Sequence, residues 1–470
     1  IGDLLYLTMA KRGVVQGTRA PAEFAARMLP LLGDGTEALL ASLDTPPPVS
    51  IRLNPTKIFH LEAERIPWCA NGRYLAERPS FTLDPLLHAG AYYVQEASSM
   101  LLEQVIHASG IALGDILALD LCAAPGGKST HLLSLLSEGS LLVANEIVPT
   151  RRAILAENVW KHGAGNCVIT GSDPSNLERL DIRFDLIVLD APCSGEGMFR
   201  KDPFAREQWS PALVEQCSAT QRHIVQHAWN ALAPGGVLVY STCTWETEEN
   251  EAQLVAFLTD GAEPVHLELD PAWGVQRTEV SGVVGHRCYP HRVRGEGFFV
   301  GALRKKGARS TRDMGAGDPR ASDALPWLRK DLGLTTLEHR EVMHALPSRW
   351  KNTIEQLGDA LRVHSPGTPF AEMKGDAWIP HPAAALSRWL DRSTFPTLAL
   401  NTSDALRYLR GEALVAQKAQ GPALVTYAGH GLGWLNGAGN RWNNRWPAPW
   451  RIRSERTSAP LVPWAGSVGG

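Results

Sequence analysis

The sequence has no Cys-x-x-Cys pair and no cysteine–histidine spacing of the kind that holds zinc, and its seven cysteines are an odd number scattered between Cys69 and Cys288. Neither a disulfide framework nor a metal site is indicated, and the thiols are expected to be free. No uninterrupted apolar stretch approaches the ~20 residues needed to cross a bilayer, and no basic, apolar and cleavage-site succession opens the chain. A cytoplasmic protein with no membrane partner is expected. An excess of one charge is also missing. The formal net charge of −3 excludes a uniformly basic nucleic-acid binder but leaves room for local phosphate-binding patches. There is no Gly-x-Gly-x-x-Gly fingerprint, which argues against a nicotinamide cofactor. What the chain does have is length and tryptophan. Its 470 residues exceed a single core, and several of its 15 tryptophans lie near the C-terminus beside arginines.

The middle of the chain is organised around one stretch. Phe184–Leu189 is an apolar run that stops at Asp190-Ala191-Pro192-Cys193-Ser194-Gly195. A run of that length bounded by turn formers fits an interior strand of a parallel sheet, and such sheets bind ligands at the carboxyl ends of their strands. A second run, Gly235–Thr242, leads into Cys243-Thr244, so two strands each place a cysteine at the same edge. Strand, glycine turn and helix recur around them. The pattern predicts strand Ile116–Leu121, loop Cys122–Lys128 with a helix to about Ser137, strand Leu141–Glu146, helix Val148–His162 and strand Cys167–Asp173. Helix Gln208–Leu232, helix Glu246–Thr259 and a last strand near Phe298–Leu303 follow. This alternation implies an α/β fold with a doubly wound, mostly parallel sheet, Rossmann-like in type.

The flanks are less regular. Pro21–Leu29 spaces its apolar residues for a short amphipathic helix. Val49–Asn54 alternates as a strand with Arg52 and Asn54 on one face, where Arg52 is either a phosphate contact or part of a solvated surface. Arg304–Asp323 turns to Lys, Arg, Gly, Ser and Asp, as a linker does. From Phe395 short strands and turns read as a small β-rich barrel. It ends in Arg441, Arg445, Arg451, Arg453 and Arg456 set among Trp442, Trp446 and Trp450. These are either cations and stacking rings for nucleic acid or a tryptophan core with solvated arginines. The expected units are 1–90, 91–305, a linker 306–323, a small α+β unit 324–394, and 395–470.

A glycine-rich loop after the first strand and an acid ending the second are the layout by which such sheets hold a nucleoside cofactor. The loop is Cys122-Ala123-Ala124-Pro125-Gly126-Gly127-Lys128, whose glycines let backbone approach the ligand, and Glu146 is placed to accept from ribose hydroxyls. Asp120 would crowd a pyrophosphate but suits the ammonium of an amino-acid moiety, which favours S-adenosylmethionine. Asp173 is either an acceptor at the adenine edge or a helix cap. Lys128 and Lys201 either contact substrate or cofactor or are solvated.

Asp120–Lys128, Asp190–Gly197, Arg200-Lys201-Asp202-Pro203 and Ser241-Thr242-Cys243-Thr244 resemble the motifs of the Nop/Sun family of RNA (cytosine-5) methyltransferases. Within that family Pro21–Leu29, Tyr92–Met100 and Ala405–Glu412 are similar to the bacterial methyltransferase F branch, which acts on small-subunit ribosomal RNA. The resemblance implies a class I S-adenosylmethionine-dependent methyltransferase core. It further implies an N-terminal α+β RNA-binding segment and a C-terminal β-rich, PUA-like RNA-binding domain. The implied substrate is RNA, namely 16S ribosomal RNA or the small ribosomal subunit, acted on by a monomer.

Elementary chemistry fits. Carbon 5 of cytosine is too weak a nucleophile to attack a methyl sulfonium, whereas adding a thiolate at carbon 6 converts the ring into an enamine that can. Protonation of ring nitrogen 3 would offset the charge that develops, and Asp190, ending a buried strand, is the candidate acid and is also expected to line the cofactor site. A base must then remove the proton on carbon 5. By resemblance, Cys243 is the nucleophile and Cys193 serves product release. The competing expectations are the same chemistry on transfer RNA, another RNA or DNA; an RNA-binding assembly factor without activity; and a nicotinamide oxidoreductase.

Overall fold

The alternating middle of the chain builds one large sheet, seen in a computed structural model that describes residues 19–57, 59–309, 325–375 and 377–454. Three strands precede it in the chain: β1 (Val49–Leu53), β2 (Gly72–Leu75) and β3 (Tyr92–Val94). The parallel centre of the large sheet comprises β4 (Leu117–Asp120), β5 (Leu141–Asn145), β6 (Cys167–Thr170), β7 (Phe184–Asp190) and β8 (Leu232–Thr242). The order across the centre is β6-β5-β4-β7-β8, so the winding reverses direction at β4. Antiparallel strands close one side: β9 (Glu263–Pro264), β10 (Gln276–Val280), β11 (Val283–Cys288) and β12 (Phe298–Arg304), with β12 against β8. The central strands are apolar on both faces because helices cover both. Ala118, Leu142, Leu186 and Val237 face one core, and Leu119, Val143, Ile187 and Leu238 face the other.

β1, β2 and β3 form a separate antiparallel sheet in the order β2-β1-β3. The face carrying Arg52 and Asn54 is not solvated, because β1 packs against the helices that follow β4 and β5. Arg52 is 2% exposed and Asn54 4%. The Arg52 guanidinium donates to Gln95 Oε1 at 2.8 Å and Thr130 Oγ1 at 2.7 Å, and Asn54 Nδ2 donates to the carbonyls of Gly90 and His162. The helix Ala22–Leu32 is present as expected, and it buttresses the loops after β7 and β8. Phe24 packs edge-on to Phe199 at 5.1 Å, and Arg27 is ion-paired to Glu246 at 2.6 Å.

Beyond the central sheet, β13 (Leu334–His339), β14 (Val342–Pro347), β16 (Thr368–Lys374) and β17 (Ala377–Pro380) make a four-stranded sheet. β15 (Val363–Ser365) leaves that unit and pairs antiparallel with β6, extending the large sheet. At the C-terminus, β18 (Thr397–Leu400), β19 (Leu414–Tyr427) and β20 (His430–Asn444) form a three-stranded sheet with helix Thr402–Leu409 against it. Instead of the short strands expected, β19 and β20 are one long bulged hairpin. Residues 310–323 of the expected linker, and Arg456, lie outside the described residues. Among the described residues no helix is long and apolar enough to cross a membrane.

The expected helix Glu246–Thr259 is another correction. The chain there makes two short 3₁₀ turns, Thr247–Glu249 and Glu251–Gln253, before helix Val255–Thr259. Side chains drawn to distant partners explain the break. Asn250 accepts from Thr242 Oγ1 at 2.6 Å, and Glu251 is held by both Nη atoms of Arg287 at 2.6 and 2.7 Å.

Candidate active site

β4, β7 and β8 end side by side, with Asp120 opposite Val188 and Asp190 opposite Ser241. Past their ends the loops stay joined, since Ala191 N–H donates to Ser241 O at 2.9 Å and Gly197 N–H to Cys243 O at 2.8 Å. The register brings the two predicted cysteines together. Cys193 Sγ lies 3.1 Å from Cys243 Sγ, Cys243 N–H points at Cys193 Sγ from 3.3 Å, and both thiols are free. The hydrogen bond to Cys243, then burial, hold the Cys193 thiol well above the ordinary thiol range.

Asp190 stands at the mouth of this arrangement with its side chain 40% exposed. Ser241 Oγ donates to its Oδ1 at 2.9 Å, and Lys128 Nζ lies 2.7 Å from Oδ2. Lys128 is therefore held against Asp190 and is not a solvated lysine. Burial works to lower its ammonium, but the charge and hydrogen bond of Asp190, together with the charge of Asp120, leave it raised. Lys201 is partly exposed, 4.0 Å from Glu296, while its neighbour Arg200 is buried against that glutamate at 3.0 Å.

The loop after β4 has the form a nucleoside cofactor needs. Gly126 adopts φ 109°, a conformation that favours glycine, and turns the chain into helix Gly127–Leu135. Ala123 and Ala124 are buried, Cys122 is half-buried, and Pro125 O accepts from Asn158 Nδ2 at 2.8 Å. Asp120 is fully buried. Ser129 Oγ donates to its Oδ2 at 2.6 Å, whereas its Oδ1 has no partner among the described residues, and burial pushes the carboxyl up to about 7. A buried carboxylate oxygen left without a donor fits a ligand that brings its own, such as an amino-acid ammonium. Glu146 accepts from Val148 N–H at 2.9 Å through Oε1, and its Oε2 lies 3.6 Å from Arg151 Nη1. Ile147 beside it is exposed, an apolar surface that the pattern of β5 does not single out. Asp173 is exposed and caps the turn Pro174–Arg179, its Oδ1 accepting from Ser175 N–H at 3.0 Å and Ser175 Oγ at 2.6 Å. Those hydrogen bonds lower its carboxyl.

Two buried glutamates of the site escape the sequence pattern. Glu196 accepts from Thr244 Oγ1 at 2.6 Å, Trp245 N–H at 2.8 Å and Trp209 Nε1 at 2.8 Å. Glu249 accepts from Ser194 N–H at 3.0 Å, from Ser194 Oγ and from Gln221 Nε2 at 2.7 Å. Burial pushes Glu196 up to about 8 and Glu249 up to about 7. The signal available in the sequence is their position, each a few residues beyond a motif cysteine. A further buried cluster, Cys69, Glu103 and His131, gathers its donor atoms within 4.8 Å, with His131 Nε2 3.1 Å from Glu103 Oε2. Its three members come from different elements, so linear spacing does not reveal it.

Models of known families match three parts of the chain. A family model described as "16S rRNA methyltransferase RsmB/F" matches residues 114–304. One described as the N-terminal domain of 16S rRNA methyltransferase RsmF matches 20–97, and one described as the methyltransferase RsmF PUA domain matches 395–452. The chain is 31% identical to ribosomal RNA small subunit methyltransferase F of Erwinia tasmaniensis, over 91% of this chain and 96% of that protein. It is 30% identical to the protein of the same name from Vibrio cholerae, over 91% and 96%. Among solved structures, a methyltransferase homologue from Pyrococcus horikoshii is similar with a TM-score of 0.52 and 28% identity, covering 60% of this chain and 94% of that one. NSun6 from the same organism, solved with SFG, shares the fold with a TM-score of 0.51 and 21% identity, over 61% and 99%.

Proposed function

The chain belongs to the ribosomal RNA small subunit methyltransferase F family, and on that premise we propose that this RNA methyltransferase acts on carbon 5 of a cytosine in 16S ribosomal RNA through a covalent cysteine adduct. The observation that carries the reading is the pair of free thiols 3.1 Å apart, delivered by adjacent parallel strands beside Asp190. Chemistry at carbon 5 requires a nucleophile for carbon 6 and a base to release the product, and two adjacent thiols can fill both roles.

In this reading Asp120, Glu146 and Asp173, with the loop Cys122–Lys128, would hold S-adenosylmethionine, and the exposed Ile147 would add apolar surface beside Glu146. Bound there, S-adenosylmethionine supplies an electrophilic methyl group. The Oδ1 of Asp120 would receive the ammonium and Glu146 the ribose hydroxyls, while Asp173 would offer the adenine the oxygen it does not use in its cap.

Cys243 attacks carbon 6 as a thiolate. As that bond forms, the electron pair of the carbon 5–carbon 6 double bond moves into the ring, and nitrogen 3 takes a proton through Asp190, which Lys128 Nζ adjoins; nitrogen 3 gives that proton back to the pair when Cys243 leaves. Carbon 5 is then nucleophilic and becomes methylated. Cys193 keeps its proton while Cys243 is a free thiolate, since the hydrogen bond to Cys243 is the first cause of its raised pKa. Once Cys243 Sγ is bonded to carbon 6 it no longer carries that charge, and Cys193 ionises more readily, losing its proton to solvent. The Cys193 thiolate takes the proton from carbon 5, the carbon 5–carbon 6 double bond re-forms, and Cys243 leaves as thiolate. Residues 1–90 and 395–470 are assigned to RNA binding.

The test is methylation by the purified protein of 16S ribosomal RNA, assembled small subunits and transfer RNA, followed by nucleoside analysis. We expect 5-methylcytidine in a small-subunit substrate. A methylated nucleoside other than 5-methylcytidine would contradict the reaction, and methylation confined to transfer RNA would contradict the substrate.

A further inference from the structure

The two cysteine loops are tied to each other crosswise by carboxylates. Glu196, on the loop of Cys193, accepts from Thr244 Oγ1 and Trp245 N–H, the residues that follow Cys243. Glu249, on the loop of Cys243, accepts from the N–H and hydroxyl of Ser194, the residue that follows Cys193. Each glutamate therefore grips the position next to the other loop's thiol. Both are fully buried. Glu196 also accepts from Ser194 Oγ of its own loop at 3.3 Å, and further donors come from elements behind the loops, Trp209 Nε1 for Glu196 and Gln221 Nε2 for Glu249, with Gln221 Nε2 also donating to Pro192 O at 2.8 Å. Burying two carboxyls in one small region carries a desolvation cost that a loop needing only to be covered would avoid with apolar side chains. The arrangement fixes geometry, because each carboxyl gathers donors from both loops' surroundings and every one of those donors belongs to a buried residue.

We propose that Glu196 and Glu249 form a reciprocal clasp that sets the separation of Cys193 and Cys243, and so act as positioning residues for the hand-over between the attacking and releasing thiols. The inference rests on the two-thiol reading above. Neither carboxyl is assigned to touch RNA or cofactor; each acts through the residues next to a reacting sulfur. A displacement near 1 Å between reacting groups lowers rates by about 100-fold. Loosening the clasp is therefore expected to lower turnover while leaving RNA and cofactor affinity alone.

The experiment uses the full-length protein in two independent arms. In the first, without RNA or cofactor, diamide oxidises thiols and peptide mapping follows closure of the Cys193–Cys243 disulfide. In the second, steady-state methylation separates kcat from KM. Glu249→Ala is expected to slow disulfide closure at least about tenfold and to lower kcat about 10–100-fold, with KM for RNA within about twofold of the unmodified protein. Ser194→Ala removes the hydroxyl that Glu249 grips while leaving both carboxyls. It is expected to act in the same direction, and it decides the question if Glu249→Ala does not fold. Closure rate and kcat both unchanged in these variants, or a loss confined to KM, would overturn the clasp. The two readings fail separately, since continued methylation by Cys243→Ala would sink the two-thiol reading whatever the glutamate variants do.

Discussion

Lys128 Nζ sits 2.7 Å from Asp190 Oδ2, joining the loop after β4, where the cofactor is expected, to the end of β7, where the cytosine is expected. Neither residue alone spans the two. In the proposed reaction Asp190 lends nitrogen 3 a proton as Cys243 adds and recovers it as Cys243 leaves, and an ammonium in contact with it can supply and take back that proton. Asp190→Asn keeps the shape and removes the acid. We expect single-turnover methyl transfer to fall by about 10²–10⁴-fold, and Lys128→Met to lower it in the same direction. A rate for Asp190→Asn within about threefold of the unmodified protein would remove Asp190 from the mechanism.

Cofactor binding can be separated from chemistry by calorimetry. Glu146→Ala should weaken S-adenosylmethionine binding by about 1–3 kcal/mol, the cost of leaving hydrogen-bonding groups unpaired. Unchanged affinity would mean that Glu146 serves only the turn to Val148 and the contact with Arg151.

The raised carboxyls predict how stability responds to pH. Glu196 and Glu249 are pushed up to about 8 and about 7 from an ordinary value of 4.5, so the folded state binds their protons more tightly than the unfolded chain does. Their contribution to stability is thus complete below about pH 4.5 and is lost as pH rises through about 7 to 8. The slope is at most about 1.4 kcal/mol per pH unit for each group. Chemical denaturation from about pH 5 to about pH 9 should show stability falling, and Glu196→Gln or Glu249→Gln should flatten the fall. A slope identical to that of the unmodified protein in both variants would contradict the assignment.

At the C-terminus the tryptophans and arginines part company. Trp446 is 2% exposed and packs on Tyr408 at 5.7 Å and Trp450 at 5.3 Å, so it is core, whereas Arg441, Arg445, Arg451 and Arg453 are exposed. Trp446→Ala should cost about 3–5 kcal/mol of stability. Replacing the four arginines by alanine should leave melting unchanged. It should weaken RNA binding and flatten its salt dependence, by about 0.7 for each phosphate on a single strand that is no longer neutralised. An unaltered salt slope would move RNA recognition elsewhere.

Where one strand and the turn after it decide the outcome, the sequence is readable. The apolar runs ending at Asp190 and Thr242 are β7 and β8, and the cysteines that follow them meet because parallel neighbours end at one edge. Where the outcome depends on what packs against an element, local pattern is not enough. Arg52 on an alternating strand reads as exposed until helix Gly127–Leu135 is seen to cover it with Thr130 and Ser134. Glu246–Thr259 reads as a helix until Asn250 and Glu251 find partners on other strands. Glu196 and Glu249 are not singled out by the sequence because nothing local says that each faces the other's loop.

In the proposed reaction Cys243 makes the covalent bond and Cys193 breaks it. The measurement is denaturing gel electrophoresis of the protein incubated with labelled RNA substrate and S-adenosylmethionine. Cys193→Ala should still attack and methylate but fail to release, so a slow-migrating protein–RNA band should accumulate. Cys243→Ala and the double variant should show none and should not methylate. A band from Cys243→Ala and none from Cys193→Ala would contradict the account and make Cys193 the nucleophile.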